Sequence, residues 1–149
     1  MEIERKFLVD KKLWNLVEKP QPKEIIQAYL LRSTEKTIRV RIKGDKGFLT
    51  IKGKTTGISR SEFEYEIPFE EAEQLISEFA DKVILKNRYE IKVGNHLWEI
   101  DEFHGKLEGL LLAEIELSYE AEEFVLPMWA KTDVSTDENY YNSQLIERC

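Results

Sequence analysis

Glu2, Glu4 and Lys6 stand two residues apart at the start of the chain, with Ile3 between the two acids. In a β-strand this spacing puts two carboxylates and an amine on one face. The same spacing recurs as like-charged pairs at Arg39/Arg41, Glu62/Glu64, Lys86/Arg88, Glu99/Asp101 and Glu114/Glu116, and Lys52 adds a single positive charge. One such pair fits a solvated strand face. Six of them, with acids and bases segregated by strand, do not, because like charges near one another repel unless something neutralises them. Carboxylate clusters suit Mg²⁺ or Mn²⁺, hard cations that take oxygen ligands. Arginine and lysine clamp phosphate oxygens. Together the two sets point to a metal–polyphosphate complex.

Strand-like runs separated by turn signals carry these residues. They cover residues 2–9, 24–31, 37–42, 48–52, 61–68, 83–93, 97–101 and 110–117. Gly44-Asp45-Lys46-Gly47 and Gly94-Asn95 read as hairpin turns. Residues opposite in parity to the charges are apolar: Ile3, Val40, Phe63, Ile100 and Ile115. If those faces pack outward against helices, the charges point into a barrel. Eight short antiparallel strands close readily into one, which removes exposed edges. Three helices are predicted: a short one capped by Asp10, one over residues 70–80 with Ala72, Leu75, Ile76 and Phe79 on one stripe, and one after Asp137. The class is mainly β (α+β), a closed eight-stranded antiparallel barrel with flanking helices, and residues 1–149 read as a single domain.

Eight acids and six bases on the inward parity leave about −2, which repels a polyanion; two divalent ions bring it to about +2. Metal dependence is therefore expected, with two ions. The net charge of −7 argues against nucleic-acid and membrane surfaces as partners. Cys149 is the sole cysteine, so no internal disulfide or CxxC site exists. No apolar run is long enough to span a bilayer, and the first strand leaves no room for a leader. A cytoplasmic protein, monomer or homodimer, is expected. His96 and His104 read as surface loop residues, and Tyr29 and Trp98 as packing residues. There is no Ser/His/Asp order, glycine-rich phosphate loop or zinc motif.

The ordered set Glu2-Ile3-Glu4-Arg5-Lys6, Gln27-Ala28-Tyr29-Leu30, Ile38-Arg39-Val40-Arg41, Thr50-Ile51-Lys52, Ser59-Arg60-Ser61-Glu62-Phe63-Glu64, Lys86-Asn87-Arg88-Tyr89, Glu99-Ile100-Asp101, Glu114-Ile115-Glu116 and Thr136-Asp137 with Tyr140 and Asn142 resembles CYTH-domain proteins of the triphosphate tunnel metalloenzyme superfamily. The resemblance covers nearly the whole chain. It implies a tunnel in which Glu2, Glu4, Glu62, Glu64, Asp101, Glu114 and Glu116 hold metal. Lys6, Arg39, Arg41, Lys52, Arg60, Lys86 and Arg88 would hold phosphate. By the same resemblance Glu2, Glu4, Lys6, Arg39, Arg41, Lys52, Lys86 and Arg88 form the catalytic set, Glu66 lies at the rim, and Arg5 points out. Some relatives carry a lysine where Ser143 stands here. The activities implied are hydrolysis of inorganic triphosphate, hydrolysis of thiamine or nucleoside triphosphates, and cyclisation of ATP by a class IV-type adenylate cyclase. The small bacterial inorganic triphosphatases resemble the chain most. A polyphosphate-binding module without turnover is the non-enzymatic alternative.

Overall fold

The computed structural model describes residues 1–149. The elements run β1 (Glu2–Val9), α1 (Lys11–Trp14), β2 (Lys23–Arg32), β3 (Lys36–Lys43), β4 (Lys46–Gly53), β5 (Ser59–Arg60), β6 (Glu62–Ile67), α2 (Phe69–Phe79), β7 (Ile84–Val93), β8 (His96–Phe103), β9 (Leu111–Glu116), β10 (Ala130–Asp133) and α3 (Asn142–Leu145). The eight expected strands are present, with ends shifted by one or two residues. β5 and β10 are additional; they lie in segments without period-2 alternation. The two hairpin turns hold as well: Gly44 and Gly94 have φ of 62° and 63°, a region open to glycine at little steric cost. The Asp10 side chain accepts the Leu13 N–H at 3.0 Å and so caps α1.

Every strand pairing is antiparallel, in the order β10-β1-β9-β8-β7-β2-β3-β4-β6, with β5 pairing back onto β1. The mainly β class is as expected. The run ends at β10 and β6, which do not pair with each other; the link back to β1 is made by the two-residue β5, at Glu2↔Arg60 and Ile3↔Ser59. Beyond them β6 follows β4, through Thr50↔Glu64 and Lys52↔Glu62. The chain leaves β4 at Ser61, whose carbonyl accepts from Gly53, so that residues 58–60 can reach β1.

Alternation separates the two faces of the sheet. Trp98, Ile100, Ala113 and Ile115 form the outer face of β8 and β9 and pack with Phe7, Trp14 and Trp129 in one buried cluster. Trp98 and Trp129 meet edge-on at 5.9 Å between ring centroids. Val40, Ile42 and Ala72 form a second cluster under α2. Leu145 and Ile146, at the C-terminus, pack with Ile84, Phe103, Leu112 and Val134 in a third. The outward faces are thus covered at Val40, Ile100 and Ile115. Phe63 differs, remaining 59% exposed with Tyr65 beside it. The 11-residue α2 reaches only the Gly47 end of the strands.

Gly47 is held to glycine by this contact. A Cβ there would lie 2.6 Å from Ala72 Cβ and 3.2 Å from the Ile67 carbonyl oxygen. Gly47→Ala is expected to destabilise the protein by about 1–3 kcal/mol, the usual cost of overpacking. Urea unfolding measures this, and an unchanged midpoint would mean that α2 yields freely.

Candidate functional site

The register sets the inward residues side by side. Tyr29 stands opposite Arg39 and Gln27 opposite Arg41. Arg88 stands opposite Asp101, and Lys6 opposite Glu114. The resulting cavity encloses about 220 Å³ and is lined by 22 residues, of which three are hydrophobic. Seven carboxylates face it: Glu2, Glu4, Glu62, Glu64, Glu99, Glu114 and Glu116. Seven cations balance them: Lys6, Arg39, Arg41, Lys43, Lys52, Arg60 and Arg88. The lining is formally neutral, where the inward parity alone gave about −2. Lys43 and Arg60 make the difference, since the absence of Asp101 and Lys86 from the lining cancels; Lys43 continues the Arg39/Arg41 parity, a signal present in the sequence.

Most of the predicted site residues converge here. Lys86 and Asp101 do not: neither lines the cavity. Both are almost wholly buried beneath the cavity wall, 2.8 Å apart between Nζ and Oδ2. Arg88 also bonds both Asp101 oxygens, at 2.7 and 2.9 Å. The Asp101 carboxylate is thereby spent on two cations of the protein. Glu66 lies outside the lining, and Arg5 points out to Asp133.

Other residues arrive without a charge pattern to mark them. Tyr29 lines the cavity instead of only packing, while Trp98 is core as expected. Tyr141, Asn142 and Ser143 also line the cavity. Lys6 Nζ donates to the Tyr140 carbonyl at 3.0 Å and lies 5.8 Å from the Tyr141 ring centroid. The C-terminal segment therefore borders the site although no lysine stands at Ser143. His96 is not a loop residue. It begins β8 and pairs with Glu122, whereas His104 follows β8 and is half-buried.

Charge pairing within the cavity is uneven. Lys52 Nζ bridges Glu2 at 2.9 Å and Glu62 at 3.8 Å. Arg41 reaches Glu64 at 3.4 Å, Arg88 reaches Glu99 at 3.1 Å, and Lys6 reaches Glu114 at 3.5 Å. Glu4 is in no ion pair. Burial, with Glu114 and Glu2 as like-charged neighbours, pushes its carboxyl up to about 8. Glu62 is raised to about 7, first by its hydrogen bond with Glu2 and then by burial. Burial would also raise Glu2, but that hydrogen bond and the Lys52 ammonium outweigh it and hold Glu2 at about 2. No three of the carboxylates are drawn together at ligating distance. An unpaired carboxylate amid other acids is nonetheless a donor set that a hard divalent cation suits.

These shifts fix a sign for pH dependence. Between about pH 5 and 8 the folded chain holds protons on Glu4 and Glu62 that the unfolded chain has released. Stability of the metal-free protein should therefore fall as pH rises through that window, and Glu4→Gln should flatten the slope. Melting in EDTA across that range tests it; a flat or rising profile in the wild type would contradict the assignment.

Comparison with known proteins places this geometry. The chain matches the CYTH domain family over residues 1–149. It is 43% identical over 147 residues to a protein of Acetivibrio thermocellus named inorganic triphosphatase, covering 98% of this chain and 93% of that protein. It is 34% identical over 152 residues to one of the same name from Nitrosomonas europaea, covering 97% and 95%. A crystal structure of an inorganic triphosphatase superposes with a TM-score of 0.67 at 31% identity, covering 98% of this chain and 94% of that one.

Proposed function

Because this chain belongs to the CYTH domain family, we propose that it hydrolyses inorganic triphosphate to pyrophosphate and phosphate with the help of divalent metal. The observation that carries this reading is the cavity lining, seven carboxylates interleaved with seven cations and only three hydrophobic residues among the 22. A compact polyanion with bound metal matches such a wall; a purine base finds little to stack on.

Lys6, Arg39, Arg41, Lys52, Arg60 and Arg88 hold the phosphate oxygens and stabilise charge that spreads over them as the terminal P–O bond breaks. Burial, with Arg39 and Arg88 as close neighbours, lowers Arg41 to about 10. Three guanidiniums so crowded are relieved by an incoming anion. Glu2, Glu4, Glu62, Glu64, Glu114 and Glu116 would hold Mg²⁺ or Mn²⁺, as two ions, which would supply neutralisation of the phosphates and a lowered pKa for bound water. Asp101 and Lys86 support this wall from behind. No helix is long and apolar enough to cross a membrane, and a cytoplasmic location fits a phosphorylated small-molecule substrate.

The test is phosphate release from triphosphate, ATP and thiamine triphosphate, each with Mg²⁺ and with Mn²⁺. Metal-dependent release, fastest from triphosphate, is expected. Cyclic AMP formed from ATP would favour the cyclase, and tight binding without turnover would favour a polyphosphate-binding module.

A further inference from the structure

Asp133 lies on the outside of the sheet, yet three donor groups of the protein converge on it. Its Oδ2 accepts Arg5 Nε at 3.0 Å, and Arg5 Nη2 makes a second contact. Its Oδ1 accepts the Ser135 backbone N–H at 2.8 Å and also the Ser135 hydroxyl. Arg5 is itself held between the rings of Phe7 and Phe124, 5.6 and 5.5 Å from their centroids. Arg5 and Asp133 are only partly buried, so their ion pair adds little to stability. Fold maintenance alone does not account for so directed an arrangement.

The arrangement ends at Lys6. β1 pairs with β10 at Phe7↔Asp133, and one step along, Val134 N–H donates to the Lys6 carbonyl at 2.8 Å. The return bond of a continued ladder is replaced, because Lys6 N–H donates to Ser135 Oγ at 2.8 Å. The Ser135 hydroxyl has one proton, for which the Asp133 carboxylate is a nearer and stronger acceptor than the Lys6 carbonyl at 3.4 Å. The hydroxyl lone pair is thereby aimed at the Lys6 N–H. Ser135 also borders the cavity.

We propose that Asp133 is a positioning residue, which acts through Ser135 to fix the Lys6 backbone and so the place of the Lys6 ammonium on the substrate. The inference rests on the phosphate contact proposed above for Lys6. It also gives a role to Arg5, the one charged residue of the opening motif that faces away from the cavity: it anchors Asp133 from the far side. Side chains that orient a ligating group from behind commonly change affinity or activity by about 10- to 100-fold when removed.

The experiment is a kinetic cycle on the full chain with tripolyphosphate and Mg²⁺. Asp133→Ala and Ser135→Ala are each expected to raise KM roughly tenfold, with kcat changed far less. Ser135→Thr, which keeps the hydroxyl, should restore KM. In a Lys6→Ala background the same substitutions should leave KM nearly unchanged, because the group they position is gone. The calorimetric dissociation constant for tripolyphosphate replaces KM where Lys6→Ala turns over too slowly. A general structural role would instead lower Tm and persist undiminished in the Lys6→Ala background. With an active wild type, an unchanged KM in both alanine variants, or a factor that persists without Lys6, overturns the inference alone. A wild type that neither hydrolyses nor binds tripolyphosphate overturns the proposed function and the inference with it.

Discussion

Glu4→Gln is expected to lower metal-dependent triphosphate hydrolysis by about 10²- to 10³-fold, because the proposed metal contact supplies several kcal/mol of charge stabilisation in the transition state. The same variant should be at least as stable as the wild type at pH 8 in the absence of metal. Glu4 is the carboxylate without an ion-pair partner whose neighbours Glu114 and Glu2, together with burial, hold its proton on to about pH 8. The glutamine side chain cannot ionise, so it removes an unfavourable charge while keeping shape and an oxygen acceptor. The pairing of outcomes is diagnostic. A carboxylate kept for the fold would give loss of stability and loss of activity together. Steady-state kinetics and metal-free melting on one preparation separate the two. Activity within threefold of the wild type would remove Glu4 from the proposed metal set.

The opposite pattern is expected at Asp101. Asp101→Asn leaves the buried Lys86 and Arg88 cations without their shared anion. Removing one partner of a buried ionic cluster costs about 3–5 kcal/mol, because the remaining charges stay desolvated and uncompensated. For a chain of this size that corresponds to a fall in Tm of about 10 °C. The Lys86 amine, already lowered to about 8 by burial, relies on Asp101 to remain charged. In the variant it should lose its proton near neutral pH, so the deficit should shrink as pH rises. Urea denaturation at pH 7 and 9.5 measures both effects. Added Mg²⁺ should rescue nothing specific to the variant. A stability unchanged from wild type, joined to a large rise in the metal concentration needed for activity, would return Asp101 to the metal ligands.

These two carboxylates show where sequence reading succeeds and where it stops. Glu4 and Asp101 have the same signature, an acid two residues from another acid on an alternating strand. Parity is local: the pleat repeats every two residues, so apolar neighbours such as Ile3 and Ile100 suffice to turn both acids inward. The hairpin glycines and the Asp10 cap are local as well, and they too were legible. Depth along the cavity is not local. It follows from the stagger of one strand against the next, and that stagger set Arg88 opposite Asp101, with Lys86 two residues along the same strand, while leaving Glu4 among acids.

The sequence by itself determined the strands, their inward charge and the chemistry that charge suits, because each depends on residue type and a period of two. Only the tertiary structure decided which inward charges reach the cavity and which neutralise one another behind it. It also brought Tyr141, Asn142 and Ser143 to the cavity lining and Asp133 to the back of Lys6, from more than a hundred residues away in the chain. Contacts at such separation follow from packing of the whole sheet, since no short-range periodicity specifies which distant segment will meet a given strand.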